Sequence, residues 1–293
     1  MINREHSIFF FVALLSAFSL LSCGEPKPEP EPDPGPIAEL QILYVEPHGL
    51  HSPFDIDSVF VNDVLVAAVD GHDPLRQYDG TPFNTVGKYI QTNAGLATIL
   101  FYRRNNVVYE KTAILHEGRQ HLFVYDLSKE PLVIQDTFPY KDSIFHDPET
   151  FATYRADSVV TAKFVNLAYD DKMIPCQGKL YCEWNDPKNA AEGWHHTGRP
   201  IGFGESTELY GIALDKAFSD LHYYKIDFRF LKEDGTEYTY INSSNREKPF
   251  TDYDNVYAGQ SYIYVLCGNR NAIPGSLYPE NNGRLRLVKW RIR

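Results

Sequence analysis

The chain has 293 residues, a net charge of −11 at neutral pH and 14% aromatic residues. The acidic balance argues against nucleic acid as a partner and against electrostatic docking on anionic lipid. The many tyrosine and phenylalanine side chains favour half-buried pleated surfaces, so the composition favours β structure. Without its first 36 residues the chain keeps about 257 (293 minus 36), enough for one large domain or two of ordinary size.

The first 22 residues form a predicted secretory signal. Arg4 supplies a positive charge, and the apolar run 8–21 that follows is too short for a comfortable membrane span. The run ends in Leu20-Leu21-Ser22-Cys23, which resembles the lipobox of bacterial lipoproteins. The resemblance implies that residues 1–22 are removed and that Cys23 is lipidated, and several acyl chains together give permanent anchoring. The alternative is a plain signal peptide, or an uncleaved anchor, with an incidental cysteine.

Residues 23–37 comprise Cys23, the predicted lipidation site, and a predicted stalk in which proline alternates with charge. Such a stretch has almost nothing to bury and favours extended polyproline II, at ~3.1 Å per residue. It would hold the folded part up to roughly 40 Å from the lipid. Acidic residues directly after the cysteine resemble the signal that sends lipoproteins of the Bacteroidetes to the cell surface. The predicted location is therefore the outer membrane, with the protein on the cell surface, and the periplasmic face is the alternative.

The rest of the chain contains two copies of one predicted unit. Each copy opens with a short apolar strand, at 40–46 in the first and 160–166 in the second. Each closes with a glycine and an alternating strand, at 118–125 and 259–266. Glycine permits the positive φ of a tight turn, and the alternation after it predicts a strand. Turn clusters separate further β-rich runs, and no stretch has a sustained helical period.

The predicted fold is all-β, with two tandem immunoglobulin-like β-sandwich domains at 38–137 and 158–293. A linker or crossover at 138–157 joins them, and the second domain carries a loop insertion. The opening Phe164-Val165-Asn166 and the closing Ala258-Gly259-Gln260-Ser261-Tyr262 resemble the DUF4397 family of bacterial extracellular β-sandwich domains. The resemblance implies a fold and no assigned activity.

The inserted loop holds the candidate ligand-binding residues. Trp194, His195 and His196 are consecutive, and Trp184 is close in sequence. A tryptophan can stack on a sugar, two histidines can contribute to a metal site, and long loops on sandwiches often carry function. The alternative is an exposed loop with an aromatic plug. The sequence offers no coherent catalytic set, metal cluster or cofactor motif, so we expect a non-enzymatic protein without cofactor or bound metal.

Three cysteines follow the lipidated one, and an odd number permits at most one internal disulfide. Cys176 paired with Cys182 would close a hairpin. Cys182 paired with Cys267 would tie distant strands together. Free buried thiols are the third alternative.

Two short motifs predict modification. Asp142-Ser143-Ile144 and Asp157-Ser158-Val159 resemble the Asp-Ser/Thr-aliphatic acceptor for O-glycans on exported Bacteroidetes proteins. Both lie in or beside the predicted linker, where a bulky solubilising sugar would fit. The resemblance implies O-glycosylation of Ser143 and Ser158, and chance matches are the alternative.

These patterns predict a lipid-anchored protein of the cell envelope that binds a glycan or a protein partner without catalysis. Its other predicted partner is the membrane, through Cys23. One alternative is a structural or accessory subunit of a surface assembly, because exposed edge strands accept a strand of another chain. A less favoured alternative is a polysaccharide hydrolase, which would need paired carboxylates roughly 5 to 10 Å apart.

Overall fold

The computed structural model describes residues 35–46, 56–68, 75, 78–82, 88–140, 143–148, 151–156, 158–171, 174–213, 223–242, 244–271 and 285–292. Residues 1–34, with the predicted signal, Cys23 and most of the stalk, lie outside these ranges. Within the ranges the protein is all-β, as predicted from the sequence, with one 3-10 helix at Pro187–Glu192. No helix in this part of the chain is long and apolar enough to cross a membrane.

The strands fall into two halves of the folded region, with a short hairpin between them. The first half contains β1 (Ile37–Tyr44), β2 (Ser58–Val61), β3 (Val64–Ala68), β4 (Asp79–Thr81), β5 (Ile90–Asn93), β6 (Gly95–Arg103), β7 (Asn106–Leu115), β8 (Gly118–Val124) and β9 (Leu132–Gln135). The hairpin contains β10 (Ile144–His146) and β11 (Thr153–Arg155).

The second half begins with a strand of 13 residues. Its strands are β12 (Val159–Asp171), β13 (Ile174–Pro175), β14 (Leu180–Asn185), β15 (His195–His196), β16 (Tyr210–Ala213), β17 (Tyr224–Lys232), β18 (Thr239–Ile241), β19 (Glu247–Pro249), β20 (Thr251–Val256), β21 (Ser261–Asn269) and β22 (Arg286–Arg291).

Four larger sheets, here called layers 1 to 4, form the body of the protein. Layer 1 has the order β3-β2-β6-β7, and layer 2 has the order β4-β1-β8-β9 with β5 also on β1. Layer 3 has the order β13-β12-β21-β22 with β16 also on β12, and layer 4 has the order β15-β14-β17-β20. In layers 2 and 3 the opening strand of each predicted unit pairs in parallel with the strand after the closing glycine, β1 with β8 and β12 with β21.

Three buried clusters show how the layers stack. One cluster lies between layers 1 and 2 and includes Leu40 and Phe101. Another lies between layers 3 and 4 and includes Phe164 and Phe228. The third joins layers 2 and 3 through side chains such as Phe123, and Trp290 Nε1 on β22 donates to Gln41 Oε1 on β1 at 3.2 Å. The stacking order is therefore layer 1, layer 2, layer 3, layer 4.

The two inner layers are covered on both faces. Every residue of β21 is buried, and its sequence is apolar throughout 262–267. Parallel strand pairs are typically covered on both sides, and their buried strands have near-continuous apolar runs. The inner layers consequently offer little surface for a ligand, and the open faces are the outward faces of layers 1 and 4.

The segment predicted as a linker at 138–157 contains the β10–β11 hairpin, and Phe145 packs into the cluster between layers 2 and 3. The segment is thus part of the folded body rather than a free connection. Residues 36–293 form one compact unit, so the division into separate domains at 38–137 and 158–293 stays a prediction.

Candidate binding face

Alternation along β14 divides its side chains between the core and the outer surface of layer 4. Cys182 and Trp184 belong to the cluster between layers 3 and 4, whereas Tyr181 and Glu183 belong to no apolar cluster and lie on the outward side. Trp184 is only 9% exposed, and its ring stacks on His195 with 4.5 Å between ring centres. Little of its ring is therefore open to a ligand, and a role of Trp184 in ligand binding stays a prediction.

The two consecutive histidines point to opposite sides of β15. His195 lies opposite Trp184 in the strand register, on the core side, and its Nε2 is 3.8 Å from Glu192 Oε2. His196 lies opposite Glu183, on the outward side, and is exposed. Neighbouring strand residues cannot converge on one ion. The described residues contain no group of three or more His, Cys, Asp or Glu that could hold a metal ion.

A row of polar side chains crosses the outward face of layer 4. His196 lies opposite Glu183, Glu183 opposite Arg229, and Arg229 opposite Thr251. Arg229 Nε donates to Glu183 Oε2, and His196 Nδ1 is 3.2 Å from Glu183 Oε1. The Glu183 side chain is 4% exposed, so it depends on these partners, as buried carboxylates generally do.

The guanidinium of Arg229 also contacts an aromatic ring. Its guanidinium carbon lies 4.4 Å from the centre of the Trp194 ring, and Trp194 is half-buried. Such a cation–π contact contributes about 0.5–1 kcal/mol at an exposed site. Glu183 therefore fixes Arg229, and Arg229 fixes the plane of the Trp194 indole on the sheet.

A second aromatic ring is held in the same way on the neighbouring strands. Tyr253 on β20 is 62% exposed and lies opposite Asp227 on β17. Lys225 Nζ is 4.7 Å from the centre of the Tyr253 ring and 3.0 Å from Asp227 Oδ1. We call this set of outward side chains the aromatic face: Glu183, Trp194, His196, Lys225, Asp227, Arg229 and Tyr253.

The strand register relates the second ring to the cation beneath the first. Arg229 is paired with Thr251, so Tyr253 is its diagonal neighbour, at roughly 7–8 Å. Trp194 lies against Arg229 and Tyr253 lies against Lys225, so both rings lie on the outward side of layer 4. Each ring rests on a cation, and each cation has its own carboxylate, which leaves the face close to electrically neutral.

Two of the predicted ligand-binding residues, Trp194 and His196, lie on the aromatic face, whereas its charged residues were not predicted from the sequence. The sequence did contain a signal, because Lys225, Asp227 and Arg229 alternate with Tyr224, Ile226 and Phe228 in β17. Charge at every second strand position predicts one solvated side. Which distant strand would lie beside these charges depends on tertiary pairing, which the alternation does not contain.

The three cysteines of the folded region are buried free thiols, so the predicted Cys176–Cys182 disulfide is absent from the structure. Burial raises the pKa of Cys176 to about 11 and that of Cys267 to about 12. Burial also raises the pKa of Cys182 well above its ordinary value. These thiols stay protonated at neutral pH, which makes them poor nucleophiles and poor metal ligands.

The two predicted O-glycosylation serines occupy matching turns on either side of the β10–β11 hairpin. Ser143 is half-buried and its hydroxyl donates to Tyr140 O at 2.6 Å. Ser158 is exposed and its hydroxyl donates to Arg155 O at 2.8 Å. Their modification stays a prediction. The lipidation of Cys23 also stays a prediction, because Cys23 lies outside the described residues.

Comparisons with other proteins do not identify a family. No protein-family model matches the chain, and no curated protein matches it. Nine solved chains match, and one is the crystal structure of "a putative cell adhesion protein" from Bacteroides eggerthii DSM 20697. It is 9% identical, has a TM-score of 0.23, and the match covers 88% of this chain and 96% of that one. A likeness at this level carries no inference about function, and the resemblance to DUF4397 domains stays a prediction.

Proposed function

We propose that the protein is a lipid-anchored, non-catalytic binding module of the bacterial cell envelope, and that it binds a glycan through the aromatic face. The observation that carries this proposal is that two aromatic rings, Trp194 and Tyr253, are each held against a cation on the outward side of layer 4. The glycan is the favoured ligand because it uses both the rings and the polar groups between them.

A pyranose ring presents a face of C–H bonds that packs on an aromatic ring, while its hydroxyl groups need hydrogen-bond partners at the sides. Tryptophan and tyrosine serve such mixed surfaces because a large apolar ring carries a polar edge. On the aromatic face, Trp194 and Tyr253 supply the rings. Asp227, Thr251 and Asn255 supply acceptors and donors on the same sheet surface.

The charge pattern favours a neutral glycan over an acidic one. Arg229 is paired with Glu183, and Lys225 is paired with Asp227. A surface attracts an anion over a distance only when cations exceed carboxylates there. Binding to the aromatic face should accordingly depend little on salt, because exposed unpaired charges are not its source of affinity.

The absence of catalysis in this proposal rests on how the carboxylates are held. Glu183 is buried beneath the face and bound to Arg229, and Asp227 is paired with Lys225. A glycosidase needs one carboxyl group that is kept protonated and another that reaches the sugar. Glu183 and Asp227 are each paired with a neighbouring cation, so they provide neither the protonated carboxyl group nor the one that reaches the sugar.

Anchoring on the outer surface of the cell is the other part of the proposal, and it rests on the sequence of residues 1–37. Protease treatment of intact cells, followed by mass spectrometry of the released peptides, tests it. Peptides from 38–293 should be released while a periplasmic control protein stays intact. A Cys23→Ser variant should no longer fractionate with the membrane, and membrane retention of that variant would contradict the lipid anchor.

The binding proposal can be tested with residues 36–293, the compact unit that contains every described strand. Isothermal titration would compare neutral gluco-, xylo- and manno-oligosaccharides with a uronic-acid oligosaccharide. Binding of at least one neutral probe is expected, and Trp194→Ala and Tyr253→Ala should each weaken it about tenfold or more. Phe151→Ala is the matched control, since Phe151 is 87% exposed and lies in the β10–β11 hairpin. Unchanged affinity in both face variants would exclude the aromatic face as the site, and binding of the acidic probe alone would contradict a neutral ligand.

A further inference from the structure

The outward face of layer 1 is apolar where an open sheet face is ordinarily polar. Leu96 on β6 is 73% exposed, Ile114 on β7 is 66% exposed, and Leu65 on β3 is 52% exposed. None of these side chains belongs to a buried cluster. An antiparallel sheet with one open face normally alternates apolar residues inward with polar residues outward. Layer 1 breaks that pattern on all three strands.

The strand register arranges the apolar side chains in two ridges. Phe60 on β2 lies beside both Leu65 on β3 and Leu100 on β6, which forms the first ridge. Leu96 lies directly opposite Ile114, which forms the second ridge. The Phe60 ring also contacts the edge of the Tyr102 ring, with 5.5 Å between ring centres, and so widens the first ridge.

A shallow groove separates the ridges. Thr98 on β6 lies opposite Thr112 on β7, and this pair stands between Leu100 and Leu96 along β6. Outward residues of one strand are about 6.7 Å apart, so each ridge stands about that distance from the centre of the groove. Glu110 on the edge strand β7 lies opposite Leu100 on β6 and is the charged side chain beside the first ridge. We call the two ridges and the groove the apolar face.

The size of the apolar face points to an interface. Its exposed apolar side chains amount to on the order of 400 Å², within the roughly 300–600 Å² of the largest apolar patch on a typical monomer, and a patch of that size is often functional. This apolar area is about half of the roughly 800 Å² that each partner buries in a stable complex of standard size, so a polar rim would have to supply the other half. In water the exposed ridges would cost free energy that burial against a second surface returns.

We propose that the apolar face is the interface of a symmetric homodimer. A two-fold contact uses the same surface on both subunits, so that surface must be complementary to itself. The apolar face meets this condition, because a ridge of one subunit can lie in the threonine groove of the other. The face also lacks the pattern of opposite charges that would select a different protein, since its ridges are uncharged and Glu110 lies at their end.

The dimer extends the proposed function without depending on it. Layers 1 and 4 are the two outer layers of the stack, so a contact through layer 1 leaves both aromatic faces free. Two linked sites raise the avidity for a repeating glycan beyond the affinity of one site. Copies anchored in one membrane would also meet at a raised effective concentration, which favours the pairing.

The experiment is analytical ultracentrifugation of residues 36–293 between about 1 and 200 μM. A concentration-dependent dimer is expected. A double variant, Leu96→Lys with Ile114→Lys, should weaken the dimer at least 100-fold, because it places four like charges in the interface. Both positions are exposed in the monomer, so the fold should survive, and circular dichroism would verify this. Ile174→Lys is the matched control, because Ile174 is 53% exposed and lies in layer 3.

Two results would overturn the proposal. If the wild-type protein stays monomeric over the whole concentration range, the apolar face is not a homodimer interface, and a different protein becomes the candidate partner. A dimer that is equally stable in the double variant would place the interface elsewhere on the molecule. Glycan titrations of the same samples separate this result from the proposed function, because the monomeric double variant should still bind a neutral probe at each aromatic face.

Discussion

Layers 1 and 4 are both four-stranded antiparallel sheets, and each has one side on a core and one side open. On the open side of layer 4, aromatic rings lie over Arg229 and Lys225. On the open side of layer 1, the equivalent surface consists of leucine, isoleucine and phenylalanine ridges around threonine. In both layers the open face is set by alternate residues of the strands, so sheets of the same kind present a polar aromatic face in layer 4 and an apolar face in layer 1.

The inward sides of the two outer layers share one feature, a charged side chain on an edge strand. The edge strand of layer 1 places Lys111 opposite the core residue Ile99, and the edge strand of layer 4 places Asp252 opposite the core residue Phe228. An inward-pointing charge on an edge strand hinders pairing with another sheet edge. Charged side chains therefore hinder strand pairing at these sheet edges. We infer that ligands and partner proteins bind to the broad outward faces of layers 1 and 4.

The largest predicted effect tests whether the open faces differ from the core in energy. Phe164 is fully buried and contacts four rings, among them Tyr264 at 5.1 Å between ring centres. Phe164→Ala should lower the free energy of unfolding by about 3–5 kcal/mol. Phe60→Ala, on the apolar face, should cost about 1 kcal/mol or less in the monomer. Urea denaturation measures both, and a Phe60 variant as damaging as the Phe164 variant would show that the apolar face is covered within the monomer.

The sequence predicted the class of the fold well because strand patterns are local. The opening and closing strands of both predicted units exist, and their closing glycines, Gly118 and Gly259, have positive φ. The pairing of these strands in parallel and the burial of both their faces were not predicted, because both depend on how the layers stack. The sequence after Gly259 predicts a strand but not its place in the stack, where layer 4 covers one side of β21 and layer 2 the other.

The candidate site was predicted only in part. The loop composition pointed to Trp184 and Trp194 alike, although they lie on opposite sides of layer 4. Alternate residues of a strand face the same side of the sheet, so Trp184 lies on the core side together with Cys182. This rule helps only when the side that faces the core is already known. Arg229 was missed because it is 35 residues beyond Trp194 (229 minus 194), and only the β14–β17 pairing brings them together.

The next prediction concerns the ion pair that distinguishes layer 4. Glu183→Ala leaves Arg229 without its carboxylate. Removal of one partner from a fully buried pair costs about 3–5 kcal/mol, but the Arg229 side chain is 27% exposed and can regain water. We expect a loss of about 1–2 kcal/mol in the free energy of unfolding, together with weaker glycan binding because Trp194 loses its support. Glu110→Ala on layer 1 is the control and should change stability by less than about 0.5 kcal/mol.

A smaller effect should follow from pH. Burial raises the pKa of Asp252 above its ordinary value of 3.8. The folded protein therefore binds more protons than the unfolded chain between that value and the raised pKa, and the Asp252 contribution to stability falls as pH rises through this window. Asp252→Asn should increase the free energy of unfolding at pH 7 by less than about 1 kcal/mol, because the partly exposed carboxyl is screened by water. The stability that Asp252→Asn gains over the wild type should vanish below about pH 3.8.

Glu39 supplies the control of opposite sign. A hydrogen bond from Arg119 holds the pKa of Glu39 below its ordinary value, so Glu39 favours folding above that value and loses its contribution as pH falls. Glu39→Gln should slightly lower stability at pH 7 and change little in acid. Denaturation of both variants at pH 3 and pH 7 provides the comparison, and a destabilising Asp252→Asn at pH 7 would contradict the assignment of a burial penalty to that carboxyl.

The smallest expected effect is that of a reductant, and it compares the two halves of the folded region. The first half contains no cysteine, and the second half contains three buried free thiols. Dithiothreitol should leave the thermal midpoint unchanged, because no disulfide constrains the unfolded chain. Iodoacetamide should modify none of the three thiols in the native protein near neutral pH, since burial keeps them protonated and inaccessible, and all three after denaturation. A midpoint that falls with dithiothreitol, together with a single titratable thiol in the denatured unreduced protein, would instead demonstrate a disulfide in the second half.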